Sequence, residues 1–372
     1  MKILFFISQM GGGGAERVMA NLVNELVDRN YDVVLAFDTS IKSVYDIDHR
    51  VKIMNRFADD YPIVSSGLCN KVYRRVWEIK QYRKIAQQVK PDVVVSFMTR
   101  CNYYIITSML GTGIPVICSE HTNLLRPLPN HWHLKRRLIY PFANCVTVLT
   151  HHDYKIAKSK FLWHVVRMPN PVPVVKRDES GSRRKVIFSA GTVSSWNIKG
   201  FDLLLKAWGL IANDFPEWRI EIAGKYDDAS ISILNDIIEE NHMPRVEFLG
   251  FRRDVNELMS EVEVYCLSSR VEGLPMSLIE SMQAGCCCVA FDCLTGPSEI
   301  IQDGVSGLLA NAEDFNSLAE KLKVVLNDSK LRRELAHNAP KAVDEYLSYN
   351  VASRWERLFK QILKKKTFLG CK

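Results

Sequence analysis

Residues 270–285, RVEGLPMSLIESMQAG, set two glutamates, Glu272 and Glu280, around a proline. Pro275 suits the first turn of a helix, where its missing N–H costs nothing. Glu272 then falls in the loop ahead of that helix, and Glu280 about a turn and a half inside it. On one continuous helix their offset would not share a face. With Glu272 on the loop, both carboxylates can line one pocket at the helix N-terminus. Amides around Gly273, Leu274, Met276 and Ser277 would meet an anionic or polyhydroxyl ligand there, and carboxylates accept pairs of sugar hydroxyls. The alternative is a surface helix with two solvated glutamates.

Three further segments carry polar groups at places where chemistry is done. Gly11 to Gly14 follow a first apolar run and precede a helical pattern, AERVMANLVNELV. Glycines there allow a tight turn and leave helix amides open to a phosphate or a sugar; a plain strand-to-helix turn reads equally well. The spacing is not G-x-G-x-x-G, so a nicotinamide site is not supported. In SAGTVSSWNIKGFDLL (189–204), Lys199 precedes a helix at the carboxyl edge of a strand, where open α/β sheets bind ligands. A lysine there can neutralise a diphosphate leaving group, although a lone loop lysine is more often solvated. In CSEHTN (118–123), Glu120 and His121 occupy a comparable edge, with a structural hydrogen bond as the other role for the histidine.

The elements that must position these groups are short apolar runs alternating with amphipathic stretches. Strands are predicted at 2–8, 32–37, 92–97, 115–119 and 144–150, then at 185–191, 219–224, 245–250, 262–268 and 286–292. Most are continuous Val/Ile/Phe/Leu runs, as in strands buried on both faces of a parallel sheet. Phe201, Leu204, Leu205, Trp208 and Ile211 draw one apolar stripe along a helix. The fold class is α/β, written twice. Between the halves, MPNPVPVVKRDESGSRRK (168–185) has three prolines within five residues and then a polar stretch, which reads as a linker. The domains are 1–170 and 175–345, with a last helical stretch at 349–366.

The chain has 372 residues, 47% apolar and 24% charged, with a net charge of +7. No apolar run is long enough to cross a bilayer, and MKILFFIS is too short for a signal-peptide core, so the expected location is the cytoplasm. Ten cysteines fit no zinc spacing and read as small core residues. The single D-x-D, Asp46-Ile47-Asp48, lacks the strand context of a metal site, and no metal is expected.

Together GGGGAERV (11–18), SEHTN (119–123), Lys199-Gly200, EGLPMSLIE (272–280) and TGPSEIIQDGVSGLL (295–309) resemble the retaining glycosyltransferases of family 4. The resemblance implies the GT-B fold, two Rossmann-like domains whose parallel sheets face a central cleft. It puts the acceptor on the first domain, the nucleotide sugar on the second, and helix 349–366 back against the first. Carried over, Glu280 binds the ribose, and Glu272 with the backbone of Gly273, Leu274, Pro275, Met276 and Ser277 holds the sugar. Lys199 binds the diphosphate, Gly12, Gly13 and Gly14 approach it from the opposite wall, and His121 contacts the transferred sugar. The loop at Arg252 seats the nucleobase. Thr192 stands where the family usually has an arginine, with Arg252, Arg253 and Arg270 as substitutes. No cofactor or metal is implied beyond the nucleotide diphosphate sugar. The expected reaction moves a hexose or N-acetylhexosamine, with a UDP-sugar ahead of GDP-mannose, to a glycan that is polyprenyl-diphosphate-linked. A nucleotide-sugar 2-epimerase of the same fold and an inactive scaffold are the alternatives.

Residues 71–90 carry seven Lys/Arg against one Glu. Arg74, Arg75, Lys80 and Lys84, with Lys135, Arg136 and Arg137 and with Glu120 nearby in the same domain, form the expected acceptor or membrane contacts. Such a surface suits an anionic inner membrane face or a lipid diphosphate, with nucleic acid not expected; a merely solvated basic surface is the alternative.

Overall fold

The computed structural model describes residues 1–57, 68–124, 130–161, 164–175 and 183–369. It divides into two compact units, Met1–Pro171 with Ser348–Lys372, and Val172–Leu347. In the first, strands β1 (Lys2–Phe6), β2 (Asp32–Phe37), β3 (Lys52–Asn55), β4 (Val93–Phe97), β5 (Val116–Ser119), β6 (Cys145–Val148) and β7 (Val165–Arg167) form one sheet. Their order is β3-β2-β1-β4-β5-β6-β7, with parallel pairing that sets Ile3 beside both Val33 and Val93. Helices α1 (Gly14–Asp28), α2 (Leu68–Val89), α3 (Thr99–Met109) and α4 (Asn130–Ile139) alternate with these strands. Leu4 and Phe6 meet Val34, Val94 and Val146 in a core closed by Tyr82 and Ile85 of α2 and Ile105 of α3.

The helix Ser348–Leu369 belongs to this first unit. Val351, Ala352, Trp355, Leu358, Phe359 and Ile362 are buried, a stripe at helical spacing. Arg29 at the end of α1 fastens it, donating from Nη1 to Ser353 Oγ at 2.9 Å and to Glu356 Oε2 at 3.0 Å.

The second unit repeats the plan with β8 (Arg184–Ala190), β9 (Arg219–Ala223), β10 (Val246–Gly250), β11 (Val262–Leu267), β12 (Cys287–Phe291) and β13 (Leu308–Ala310). The order is β10-β9-β8-β11-β12-β13, again parallel. The predicted stripe lies in the helix Phe201–Ile211, and all five of its residues are buried. Cys101, Cys118, Cys266, Cys286, Cys287, Cys288 and Cys293 are buried thiols; burial pushes them up, to about 12 for Cys286 and Cys287.

Three strands escape the sequence pattern: β3, β7 and β13. Each ends a sheet and has only three or four residues, and β3 is largely exposed. An edge strand has one paired side, so it needs no continuous apolar run. Of the predicted linker, 176–182 lie outside the described residues. Before them, Val172 N donates to Tyr346 O at 2.9 Å and Val175 N to Gln283 Oε1 at 3.0 Å.

Candidate functional site

Both sheets reverse their strand order beside the first strand, at β1/β4 and at β8/β11. Loops leaving the carboxyl ends of such neighbours diverge and open a crevice. The residues singled out by type and spacing gather on these loops.

In the second unit the chain leaves β8 through Gly191 and enters the short helix Trp196–Lys199, which ends on Gly200 at φ 64°. Only glycine fits there, because a Cβ would stand 1.8 Å from the carbonyl oxygen of Ser268. Ser268, just past β11, also donates from Oγ to Lys199 O at 3.0 Å. The two switch-point loops are thus joined backbone to backbone. The Lys199 stem passes over Gly191, where a Cβ would meet its Cγ and Cδ at 3.4 Å. Its ammonium donates to Glu272 Oε1 at 2.8 Å, and Ser269 Oγ donates to the same oxygen at 2.6 Å.

The Glu272 loop is held from behind. Thr295 Oγ1 donates to the carbonyls of Glu272 and Gly273, both at 3.1 Å. The helix that follows is Met276–Gln283, with Pro275 as its N-cap rather than in its first turn. Glu280 is 2% exposed and the Glu272 side chain 11%. The alternative of two solvated surface glutamates therefore does not hold. Leu274 is buried, while Gly273, Met276 and Ser277 are half-buried.

Position 192, where an arginine was missing, is an exposed threonine capping the turn Val193–Ser195. Two of the proposed substitutes are committed elsewhere. Arg252 closes on Asp254, with Nε donating to Oδ1 at 2.8 Å. Arg270 grips Asp202 through two bonds of 2.8 and 2.7 Å and Glu313 through a third of 3.1 Å. Arg253 is exposed. Lys225 was not anticipated; it is exposed and follows Gly224, whose Cβ would fall 1.6 Å from Gly191 O. A basic residue directly after a strand-ending glycine was the available signal.

In the first unit the β1/β4 switch point opens into a cavity of about 760 Å³. Gly13 comes from the loop after β1, Gly14 and Glu16 from the first turn of α1, Thr99 and Arg100 from the first turn of α3, and Arg74, Arg75, Glu78, Trp132 and Lys135 from α2 and α4. Four cations thus share a wall with two carboxylates. Lys135 Nζ lies 4.3 Å from the Trp132 ring centre and 4.7 Å from that of Tyr103. Burial, then the charges of Arg75 and Arg100, lower its pKa. The cations outnumber the carboxylates, so the wall is net positive, with Arg100 Nη2 3.8 Å from Glu78 Oε1. Arg100 and Trp132 were missed; each neighbours a feature that was read, a strand end in one case and the basic run of α4 in the other.

The basic segment splits by face. Arg74, Arg75 and Lys135 line the cavity, whereas Lys80, Lys84 and Arg137 are exposed and do not. Arg136 and Glu120 are corrections, since neither is available to an acceptor or a membrane. They are each 1% exposed and paired, Arg136 Nη2 donating to Glu120 Oε2 at 2.8 Å. Thr99 donates to the same oxygen at 2.9 Å, Asn102 reaches the other at 3.4 Å, and the Tyr140 hydroxyl donates to it too. A buried charge survives only with such satisfaction.

In the glycine loop the expectation of open amides is corrected at two positions. The amides of Gly12 and Gly13 are not open: both donate to Glu16 Oε2, at 2.6 and 2.9 Å. His121 is not an open polar group either. Its ring packs on Phe97, centres 4.2 Å apart, and both nitrogens are shut from solvent. Burial pushes its pKa down to about 3, against a smaller upward pull from Asn170. Asp48 of the D-x-D gives its oxygens to Arg50 at 2.9 and 2.7 Å.

Two doubly wound parallel sheets, each with polar residues gathered at its switch point, define the GT-B class. The family described as Glycosyltransferase Family 4 matches residues 12–175, and Glycosyl transferases group 1 matches residues 184–328. The chain belongs to the family 4 glycosyltransferases. A Campylobacter jejuni relative, GalNAc-alpha-(1->4)-GalNAc-alpha-(1->3)-diNAcBac-PP-undecaprenol alpha-1,4-N-acetyl-D-galactosaminyltransferase, is 29% identical over 97% of this chain and 99% of its own. The amylovoran biosynthesis glycosyltransferase AmsD of Erwinia amylovora is 24% identical over 95% and 98%. Among solved structures, Anabaena HepE in complex with UDP superposes with a TM-score of 0.82 at 17% identity, covering 97% of this chain and 100% of that one. That likeness concerns the fold.

Proposed function

We propose that the chain is a retaining glycosyltransferase that moves a hexose or N-acetylhexosamine from a nucleotide diphosphate sugar, a UDP-sugar first, to a lipid-linked glycan. The observation that carries this is the Lys199–Glu272 pair at the β8/β11 switch point, with Glu280 buried in the helix behind it. Glu280 takes the ribose hydroxyls and Glu272 the sugar hydroxyls, and Lys199 turns from Glu272 to the diphosphate. The acceptor hydroxyl attacks the anomeric carbon on the face the diphosphate leaves, and a donor phosphate oxygen takes its proton. Lys199 neutralises the charge that collects on the leaving group, a task a divalent ion would otherwise perform.

The first unit receives the acceptor. Arg74, Arg75, Arg100 and Lys135 suit the diphosphate of a polyprenyl carrier, and Trp132 offers an aromatic face to a sugar ring. The C. jejuni relatives, named as transferases acting on undecaprenol-linked glycans, support this class of acceptor. Work on such a carrier places the enzyme at the cytoplasmic membrane face. Among the described residues no helix is long and apolar enough to cross a membrane, so the contact is peripheral in this reading.

A thermal-shift panel of UDP, GDP and their sugar conjugates tests the donor site. At a hundredfold excess over Kd the native state gains about 2.7 kcal/mol. One nucleotide class should raise Tm in the wild type and not in Glu280→Ala. No shift with any nucleotide would overturn the donor assignment, and interconversion of donor sugars without acceptor would indicate an epimerase instead.

A further inference from the structure

We propose that Arg270 is a positioning residue for Lys199: it fixes the orientation of the one-turn helix Trp196–Lys199, so that the Lys199 ammonium is delivered to one place. Little else holds that helix. None of its four residues is buried, and among them only Trp196 packs partly against the core. So short a turn closes too few hydrogen bonds to persist on its own, and its last carbonyls have no partner within it.

Those carbonyls are taken up in sequence by the loop after β11. Asn197 O accepts from Arg270 Nη1, Ile198 O from the Arg270 backbone N–H at 2.9 Å, and Lys199 O from Ser268 Oγ at 3.0 Å. The near-contact of Gly200 with Ser268 sets the spacing of the two loops at one point, about which the helix could still turn. The two Arg270 bonds, made to the residues before that point, remove the turn.

The guanidinium is itself fixed from two further sides. Nη1 and Nη2 grip Asp202, at the start of the helix Phe201–Ile211, at 2.8 and 2.7 Å, with a planar fork that a lysine cannot copy. Nε donates at 3.1 Å to Glu313. The Glu313 backbone sits at φ 60°, a left-handed conformation that a non-glycine residue keeps only where its surroundings impose it. Two carboxylates outnumber the one cation, so Arg270 has no charge to spare for a ligand. It joins instead the loops that leave β8, β11 and β13. Two residues beyond it lies Glu272, the partner of Lys199 at 2.8 Å, so both ends of that pair are tied to Arg270.

The purpose of this hold rests on the donor site proposed above, where Lys199 leaves Glu272 for the diphosphate. With the backbone of 197–199 fastened, only the lysine stem has to move. The ammonium then arrives without any rearrangement of the loop, which is the condition for electrostatic stabilisation of a leaving group.

Two variants remove the hold by different routes. Arg270→Lys keeps a cation beside Asp202 and Glu313 but loses the fork. Arg270→Met/Asp202→Asn removes the pair from both sides and strands no buried carboxylate. Both should melt close to wild type yet lose about 10- to 100-fold in kcat for donor turnover, with donor KM changed far less. In a Lys199→Ala background the same changes should cost no more than about twofold further, because nothing is left to position. A second readout needs no substrate: mass-spectrometric labelling of amines by an N-hydroxysuccinimide ester, with the exposed Lys225 as internal reference. Lys199, freed from Glu272, should label several-fold faster in both variants than in wild type. Wild-type kcat in Arg270→Lys, losses that multiply in the Lys199→Ala background, unchanged Lys199 labelling, or unfolding of both variants would overturn the proposal. A wild type that turns over no nucleotide sugar, with variants that label as expected, removes the proposed function and leaves the Arg270 hold standing.

Discussion

Replacing Arg136 by methionine should destabilise the first unit without acting first on any ligand. Its guanidinium is one of four donors to Glu120, a carboxylate 1% exposed. Breaking a buried pair from one side costs about 3–5 kcal/mol, because the remaining charge has no counterion. Thr99, Asn102 and Tyr140 stay in place as neutral donors, so the lower end, about 3 kcal/mol, is expected. For a unit of this size each kcal/mol moves Tm by about 2–4 °C, giving a fall of about 6–12 °C in the calorimetric transition. Adding Glu120→Gln should restore most of it, since the stranded charge is gone. A single variant within about 1 kcal/mol of wild type would refute the reasoning, above all if vesicle or acceptor binding fell at the same time. Arg136 would then be the surface residue that its sequence context suggests.

Other outcomes follow from the second site and from His121. Lys199→Ala should lower kcat by about 10²–10³ with donor KM changed far less, as for the loss of one transition-state stabiliser; steady-state kinetics with the donor identified by thermal shift would check this. His121 is held neutral by burial, with a pKa of about 3 against 6.5 when unfolded. Between those values the unfolded chain binds more protons, so stability is full above pH 6.5 and falls as pH drops, by up to about 1.4 kcal/mol per unit. Chemical denaturation from pH 7.5 to 5 should show this slope in the wild type and a shallower one in His121→Phe.

Fold and site were legible to different depths. Nine of the strands announce themselves because a strand covered on both faces must be apolar throughout, and the edge strand β10 does so by its Val246, Phe248 and Leu249; the edge strands β3, β7 and β13 are too short to show a run. The Glu272/Glu280 spacing and Lys199 point to one loop cluster because strand ends and helix starts are written in glycine and proline. What sequence cannot supply is the partner of a charge. Arg136 and Arg137 are adjacent and chemically alike, yet one is locked on Glu120 and the other faces water, a difference set by helical phase against a residue sixteen positions earlier. Glu16 was quoted in its motif without a role for the same reason: its hold on the Gly12 and Gly13 amides depends on a side chain folding back over its own loop.

The near-contact of Gly200 with Ser268, and of Gly224 with Gly191, has a consequence for how such a site can vary. Where loops meet main chain to main chain, their spacing does not pass through side chains. Position 192 can then exchange a guanidinium for a hydroxyl while the lysine seven residues on keeps its reach. Side chains at the rim can be exchanged without moving that frame. An attempt to graft a new ligand preference onto this unit would therefore do well to carry 191–200, 224 and 268 together and to diversify only the exposed residues between them.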